Sequence, residues 1–206
     1  MPPYNRTYMS VYPFFADIKD MPVVVIGGGK VAARKVESLL ESTADVYVIA
    51  LSVSEELQSL AQDRRITLSL RAYTYGDLEG FLLAFAATDN KNTNEMVAEE
   101  ARKRGILVNR IDGGLESGGF IVPSVIKRGP LAVAFSTGGI PFFTKRVKEY
   151  FQRKLYPELA QELEELRNER LQICDDTTLS GLERRDKIEQ SLSGRTKEII
   201  EKIERL

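Results

Sequence analysis

The stretch VVVIGGGKVAARKVESLL, Val23 to Leu40, decides the fold. Four β-branched residues run straight into Gly27-Gly28-Gly29, and a helical apolar spacing begins at Lys30 without a break. A buried strand that turns tightly into a helix is the start of a βαβ unit. Gly27-Gly28-Gly29-Lys30-Val31-Ala32 has the form G-x-G-x-x-A. In that pattern the first glycine permits the turn and the second lets backbone approach a pyrophosphate. The third small residue lets helix and strand pack closely. The amides of the helix N-terminus would then face the phosphates. The sequence context is the one this fingerprint demands, so Gly27, Gly28 and Gly29 are candidate dinucleotide-binding residues.

Outward from this stretch, apolar runs at 46–50, 66–70, 81–87 and 106–109 alternate with helical patterns at 30–42, 54–62 and 91–104. In the last helix Met96, Val97 and Ala101 are expected on one apolar face. Strands alternating with helices predict an α/β fold, a Rossmann-type parallel sheet covered on both faces. No crossover helix is evident between 66 and 87, which leaves that part of the topology open. The second strand ends Ala50-Leu51-Ser52, without the acidic residue that commonly grips a ribose and without an arginine for a 2′-phosphate. These residues alone therefore do not separate NAD from NADP.

After Asp112 the texture changes. Two apolar strands within 119–139 flank Lys127-Arg128-Gly129-Pro130, a turn signal, and are expected to pair antiparallel. From Phe142 the pattern is helical. Pro157 suits the first turn of a further helix, with Leu159, Leu163 and Leu166 along one stripe. DDTTLSG (175–181) breaks it, and Ser180 with Glu183 forms a capping-box pattern for a last helix. The expected organisation is a nucleotide-binding domain over 1–112, a strand-rich dimerisation segment over 113–147 and a helical C-terminal domain over 148–206.

Composition bounds the chemistry. The 206 residues contain no histidine and one cysteine, Cys174, so His-based zinc sites, Ser-His-Asp triads and disulfide frameworks are excluded. No metal site is expected. The lone cysteine fits a reducing cytoplasm. A net charge of −1 makes the whole chain no magnet for nucleic acid or membrane, and no apolar run is long enough to span a bilayer. Acid–base chemistry must use carboxylate, lysine, tyrosine, Cys174 or water. Asp112, just past the strand 106–109, should point into the crevice beyond the sheet, with Gly113-Gly114 leaving space beside it. It is the candidate proton acceptor for a hydride-transfer reaction; a turn-forming Asp before Gly is the structural alternative. Residues 127–154 hold seven cations, among them Lys127, Arg128 and Lys145, against Glu149 alone. Ser136-Thr137-Gly138-Gly139 leads from a strand towards a helix, a second place for anions to meet backbone amides. Together these suggest a polyanionic ligand; a solvated helix face is the plain alternative. Nucleic acid fits less well, because the interleaved aromatics are only Phe142, Phe143, Tyr150 and Phe151, which helical spacing could bury.

Several ordered motifs resemble the precorrin-2 dehydrogenase family of siroheme synthesis. They are PFFADIKDMPVVVIGGGKVAARKVESLLE (13–41), ATDNKNTN (87–94), VNRID (108–112), FIVPSVIKRGPLAVAFSTGGIPF (120–142) and LYPEL (155–159). The resemblance implies NAD-dependent oxidation of precorrin-2 to sirohydrochlorin. In some relatives it also implies insertion of Fe2+, and this sequence does not decide that activity. It implies a homodimer joined through the middle strands. By motif, Asp112 matches the family's essential aspartate. Lys30, Val31, Leu51 and Ser52 match cofactor-contact positions, and Thr88 of the ATDN stretch is grouped with them. The basic cluster, with Lys127, Arg128, Ser136, Thr137, Gly138 and Lys145, suits a tetrapyrrole rich in carboxylates. Two stretches depart from the family pattern. DGGLESGGF (112–120) is one residue longer than usual, and GGIPF (138–142) lacks the usual small residue before proline. Two other readings compete. Tyr150-x-x-x-Lys154, with Ser136 upstream, matches the Tyr-Lys pair of short-chain dehydrogenases. A non-catalytic NAD sensor with a partner-binding helical tail would show the same fingerprint.

Overall fold

The computed structural model describes residues 11–112 and 119–205, in two compact units, Met1–Val122 and Pro123–Leu206. The first unit holds β1 (Pro22–Ile26), α1 (Lys30–Leu40), β2 (Asp45–Ala50), α2 (Glu55–Gln62), β3 (Thr67–Leu70), β4 (Leu83–Ala86), α3 (Lys91–Arg104) and β5 (Leu107–Arg110). The five strands form one parallel sheet in the order β3-β2-β1-β4-β5. The α/β expectation holds, and β1, the strand of the opening stretch, is central. Val24 lies opposite Tyr47 on one side and Ala84 on the other.

The two-residue period of a strand divides the core into two layers. Val23 and Val25 face a cluster with Ala32, Val36, Leu39, Val46, Val48, Leu57 and Phe85. Val24 and Ile26 face the opposite cluster, with Ile49, Leu78, Ala84, Ala86, Val97, Ala101 and Val108. On α3 the buried row is Asn94, Val97, Ala98 and Ala101, which follows the three-to-four spacing of one helix face. Met96 falls off that row and is half exposed, contrary to the sequence expectation.

Between β3 and β4 the chain crosses over by turns, which settles the connection the sequence left open. Arg71 clamps Asp77 with two hydrogen bonds of 2.6 and 2.9 Å. Leu78 is fully buried and takes the packing place of a crossover helix. The wholly buried Glu100 of α3 accepts from the Tyr73 hydroxyl at 2.5 Å, the Gly76 amide at 2.9 Å, the Leu78 amide at 3.4 Å and Arg104 Nε at 2.7 Å. A buried carboxylate so supplied with donors ties the connection to the helix.

The second unit begins with β6 (Ser124–Arg128) and β7 (Leu131–Phe135), an antiparallel pair closed through Gly129-Pro130. They form a separate two-stranded sheet. Three helices follow: α4 (Pro141–Lys154), α5 (Leu159–Asp175) and α6 (Gly181–Arg205). Pro157 precedes α5, which starts two residues later than its position suggests. The capping box is formed: the Ser180 amide donates to Glu183 at 2.8 Å, and the Glu183 amide donates to Ser180 Oγ at 3.3 Å. None of the α4 residues is buried within its unit. Phe142, Phe143 and Tyr150 are more than half exposed, so helical spacing does not bury these aromatics.

Candidate active site

The site is built where β1 ends. The Gly27 amide donates to Ile49 O at 2.9 Å, and Gly28 O accepts from the Ser54 amide at 2.8 Å. These bonds draw the ends of β1 and β2 together. Gly27 has φ +129°, and a Cβ there would stand 2.3 Å from Ala87 O. A Cβ on Gly28 would stand 1.9 Å from Ser52 O. Both glycines are thus required by the protein's own backbone, Gly28 no less than Gly27. The variable position of the fingerprint is not free here, which spacing alone did not reveal. At Gly29 nothing lies within 4 Å of where a Cβ would be. Gly29 is the N-cap of α1, and no side chain caps the helix and no acid occupies its first turn. Amides with partial positive charge therefore face open space beside Gly29. Lys30 and Val31 are exposed on that first turn, and Leu51 and Ser52 are exposed just past β2. The open Cβ position and uncapped turn fit a dinucleotide pyrophosphate. The place also fits: β1 and β4 are neighbours with connections leaving to opposite sides, the switch point of such a sheet.

Thr88 follows β4 and is held by Asn94, the fully buried amide of α3. Asn94 Oδ1 accepts from Thr88 Oγ1 at 2.7 Å and from the Thr88 amide at 3.2 Å, and Nδ2 donates to Thr88 O at 3.0 Å. Asn90 caps the helix by accepting from the Thr93 amide at 3.0 Å. ATDN is therefore a hydrogen-bonded turn between strand and helix, and KNTN is the first turn of α3.

Asp112 stands two residues past β5. Arg110 Nε donates to Asp112 Oδ1 at 3.2 Å, and Arg110 Nη1 donates to Glu95 Oε2 at 2.5 Å. Burial pushes the Asp112 carboxyl upward, but hydrogen bonds from Asn94 and Arg110 outweigh this and hold it below the ordinary value. At neutral pH it is an ionised carboxylate, available as an acceptor. Gly113-Gly114, and with them most of the long DGGLESGGF stretch, lie outside the described residues.

The structure brings Gly27, Gly28, Gly29, Lys30, Val31, Leu51, Ser52, Thr88 and Asp112 into the first unit, all at or just beyond carboxyl ends of strands. Lys127, Arg128, Ser136, Thr137, Gly138 and Lys145 belong to the second unit. Lys127 is exposed on β6. Thr137 Oγ1 donates to Ile140 O at 3.0 Å and lies 2.5 Å from Thr144 Oγ1, shaping the loop into α4. Gly138 and Gly139 both have positive φ there. Lys145 pairs with Glu149 at 3.9 Å. Lys154 Nζ lies over the face of the Tyr150 ring, 5.9 Å from its centre. Asn94, Glu95 and Arg110 were not singled out from sequence. Asn94 and Arg110 sit inside quoted motifs, but only the fold shows that they meet Asp112.

Residues 14–124 match the family described as "Putative NAD(P)-binding". A siroheme synthase 1 of Serratia proteamaculans is 38% identical over 188 residues, 91% of this chain and 39% of that protein. A siroheme synthase of Methylococcus capsulatus is 42% identical over 131 residues, 64% of this chain and 27% of that protein. The chain thus spans less than half the length of these curated relatives. Among solved structures, SirC, a precorrin-2 dehydrogenase, superposes with a TM-score of 0.71 at 25% identity, over 95% of this chain and 100% of that one. With a match over more than half of its residues, the chain belongs to the family described as "Putative NAD(P)-binding", and its likeness to a precorrin-2 dehydrogenase runs along nearly all of its length.

Proposed function

We propose that this chain oxidises precorrin-2 to sirohydrochlorin in siroheme biosynthesis, with NAD as oxidant and Asp112 as proton acceptor. The observation that carries the reading is the carboxyl edge of the parallel sheet. An uncapped helix start with open space at Gly29 and an ionised, clamped Asp112 stand on that edge. NAD, when bound, takes the hydride. The chain's part is to receive the pyrophosphate on the first turn of α1 and to accept the proton at an Asp112 carboxylate oxygen. Lys127, Arg128, Lys145 and the Ser136–Gly138 loop are assigned to the substrate's carboxylates, by charge complementarity. Fe2+ insertion, as a second reaction with iron as substrate, would release pyrrole protons, and Asp112 is the carboxylate assigned to take them. The reading includes a cytoplasmic homodimer joined through the β6–β7 segment. Among the described residues no helix is long and apolar enough to cross a membrane.

The test is anaerobic incubation with precorrin-2, with and without NAD, followed by absorbance; a second step adds ferrous or cobaltous ion. Sirohydrochlorin should form only with NAD. Asp112→Asn should keep fold and NAD affinity and lose ~10²–10⁴-fold in turnover, the usual worth of general-base assistance. Tyr150→Phe should change little. An active Asp112→Asn beside a dead Tyr150→Phe would transfer the chemistry to the Tyr–Lys pair, and NAD binding without turnover would favour the sensor reading.

A further inference from the structure

The first turn and a half of α3 touches both sides of the proposed chemistry. Asn94 is fully buried, and its amide fixes the Thr88 backbone and hydroxyl beyond β4. Its neighbour Glu95 reaches the Asp112 carboxylate beyond β5 through Arg110, which bridges the two. A buried amide is costly unless its polar atoms find partners, and Asn94 finds them at Thr88. β4 and β5 are adjacent, so one helix turn fixes the distance between their ends.

We infer that Asn94 and Glu95, adjacent on α3, are positioning residues that hold the Asp112 carboxylate in register with the Thr88 edge of the dinucleotide site, Asn94 by fixing Thr88 and Glu95 by fixing Asp112 through Arg110. The inference rests on the reading of Asp112 as proton acceptor. Proton and hydride must leave the same substrate, so the acceptor has to keep a fixed place relative to the cofactor. Displacements of about 1 Å can cost on the order of 10²-fold in rate. The groups facing Asp112 among the described residues are Asn94 of α3 and Arg110 of β5, with Glu95 opposite Arg110.

The test compares Asn94→Asp, Glu95→Gln and Asp112→Asn by precorrin-2 turnover against pH, with NAD affinity by calorimetry and circular dichroism for fold. Asn94→Asp keeps the shape and the acceptors for Thr88. It removes the donor to Thr88 O and adds a negative charge at the same edge of the sheet as Asp112. The added charge disfavours the ionised Asp112, so the acid limb of kcat should move to higher pH by about a unit or more. Glu95→Gln, on a half-exposed side chain, should lower kcat about tenfold at unchanged NAD affinity by releasing Arg110. If Asp112→Asn is dead while Asn94→Asp leaves kcat and its acid limb unmoved, the positioning role is wrong and the base assignment stands. If Asp112→Asn is fully active, the base assignment itself fails. Should Asn94→Asp not fold, Glu95→Gln decides: an unchanged kcat and pH profile overturns the inference.

Discussion

Three consecutive glycines do two different jobs, and substitution should separate them. At Gly28 an added methyl meets the Ser52 carbonyl, which is backbone and cannot swing aside. Gly28→Ala should therefore destabilise the fold by about 1–3 kcal/mol, the usual cost of overpacking, read by urea unfolding. At Gly29 the same methyl meets nothing, so the position is open for a ligand and not needed for packing. Gly29→Asp should leave the melting temperature close to wild type and abolish NAD binding by calorimetry, since a carboxylate would stand where the phosphates approach. Unchanged NAD affinity in Gly29→Asp would remove the fingerprint from the functional argument. The sequence showed that the turn was special. It could not show which glycine faces the protein and which faces the ligand, because that depends on where Ser52 and Ala87 arrive from other strands.

At the scale of elements, the strands and helices of the first unit were legible because each carries its own period. The β3–β4 connection was not, because its stability comes from a residue in another element. Glu100 gathers donors from Tyr73, Gly76, Leu78 and Arg104, and no local pattern announces that. Asp112 was legible as a strand-end acid, whereas its clamp by Arg110, itself held by Glu95 of α3, joins residues on different elements and was not. Removing the carboxylate in Glu100→Ala strands the Gly76 amide, the buried Leu78 amide and the Tyr73 hydroxyl, with an expected loss of about 3 kcal/mol. The pH dependence has a definite sign. Burial pushes the Glu100 carboxyl up, but its donors outweigh that and hold it below the ordinary glutamate value. A depressed folded-state pKa gives stability that is fully present above the unfolded value, about 4.3, and is lost as pH falls through the folded one. The stability gap between wild type and Glu100→Ala should thus be constant from neutral pH to about 5 and shrink below about 4. A gap that grows on acidification would contradict the assignment.

At the scale of the whole molecule, the two units are stabilised differently. The first has a two-sided core around β1. In the second, α5 and α6 pair around Leu159, Ile173 and Ile199, with Glu162–Lys202 at 2.6 Å and Glu165–Arg195 at 2.7 Å on the rim, where exposed ion pairs add little. Its β6–β7 pair is a ribbon of two strands, and such a ribbon is marginal on its own. On β7, Ala132 and Ala134 alternate outward as small exposed residues, while Leu131, Val133 and Phe135 are partly covered. Around the loop into α4, Ile140, Phe142 and Phe143 are 58%, 72% and 57% exposed. Open strand edges and uncovered aromatics in water invite association. The full chain at micromolar concentration is therefore expected to sediment as a dimer, at twice its 23.2 kDa mass. Replacing both Ala132 and Ala134 with Glu places like charges on the small outward face of β7, where a second copy would have to desolvate them. That double variant should sediment as a folded monomer, checked by circular dichroism. A wild-type monomer would overturn the dimer, and a double variant that stays dimeric would move the interface away from β7.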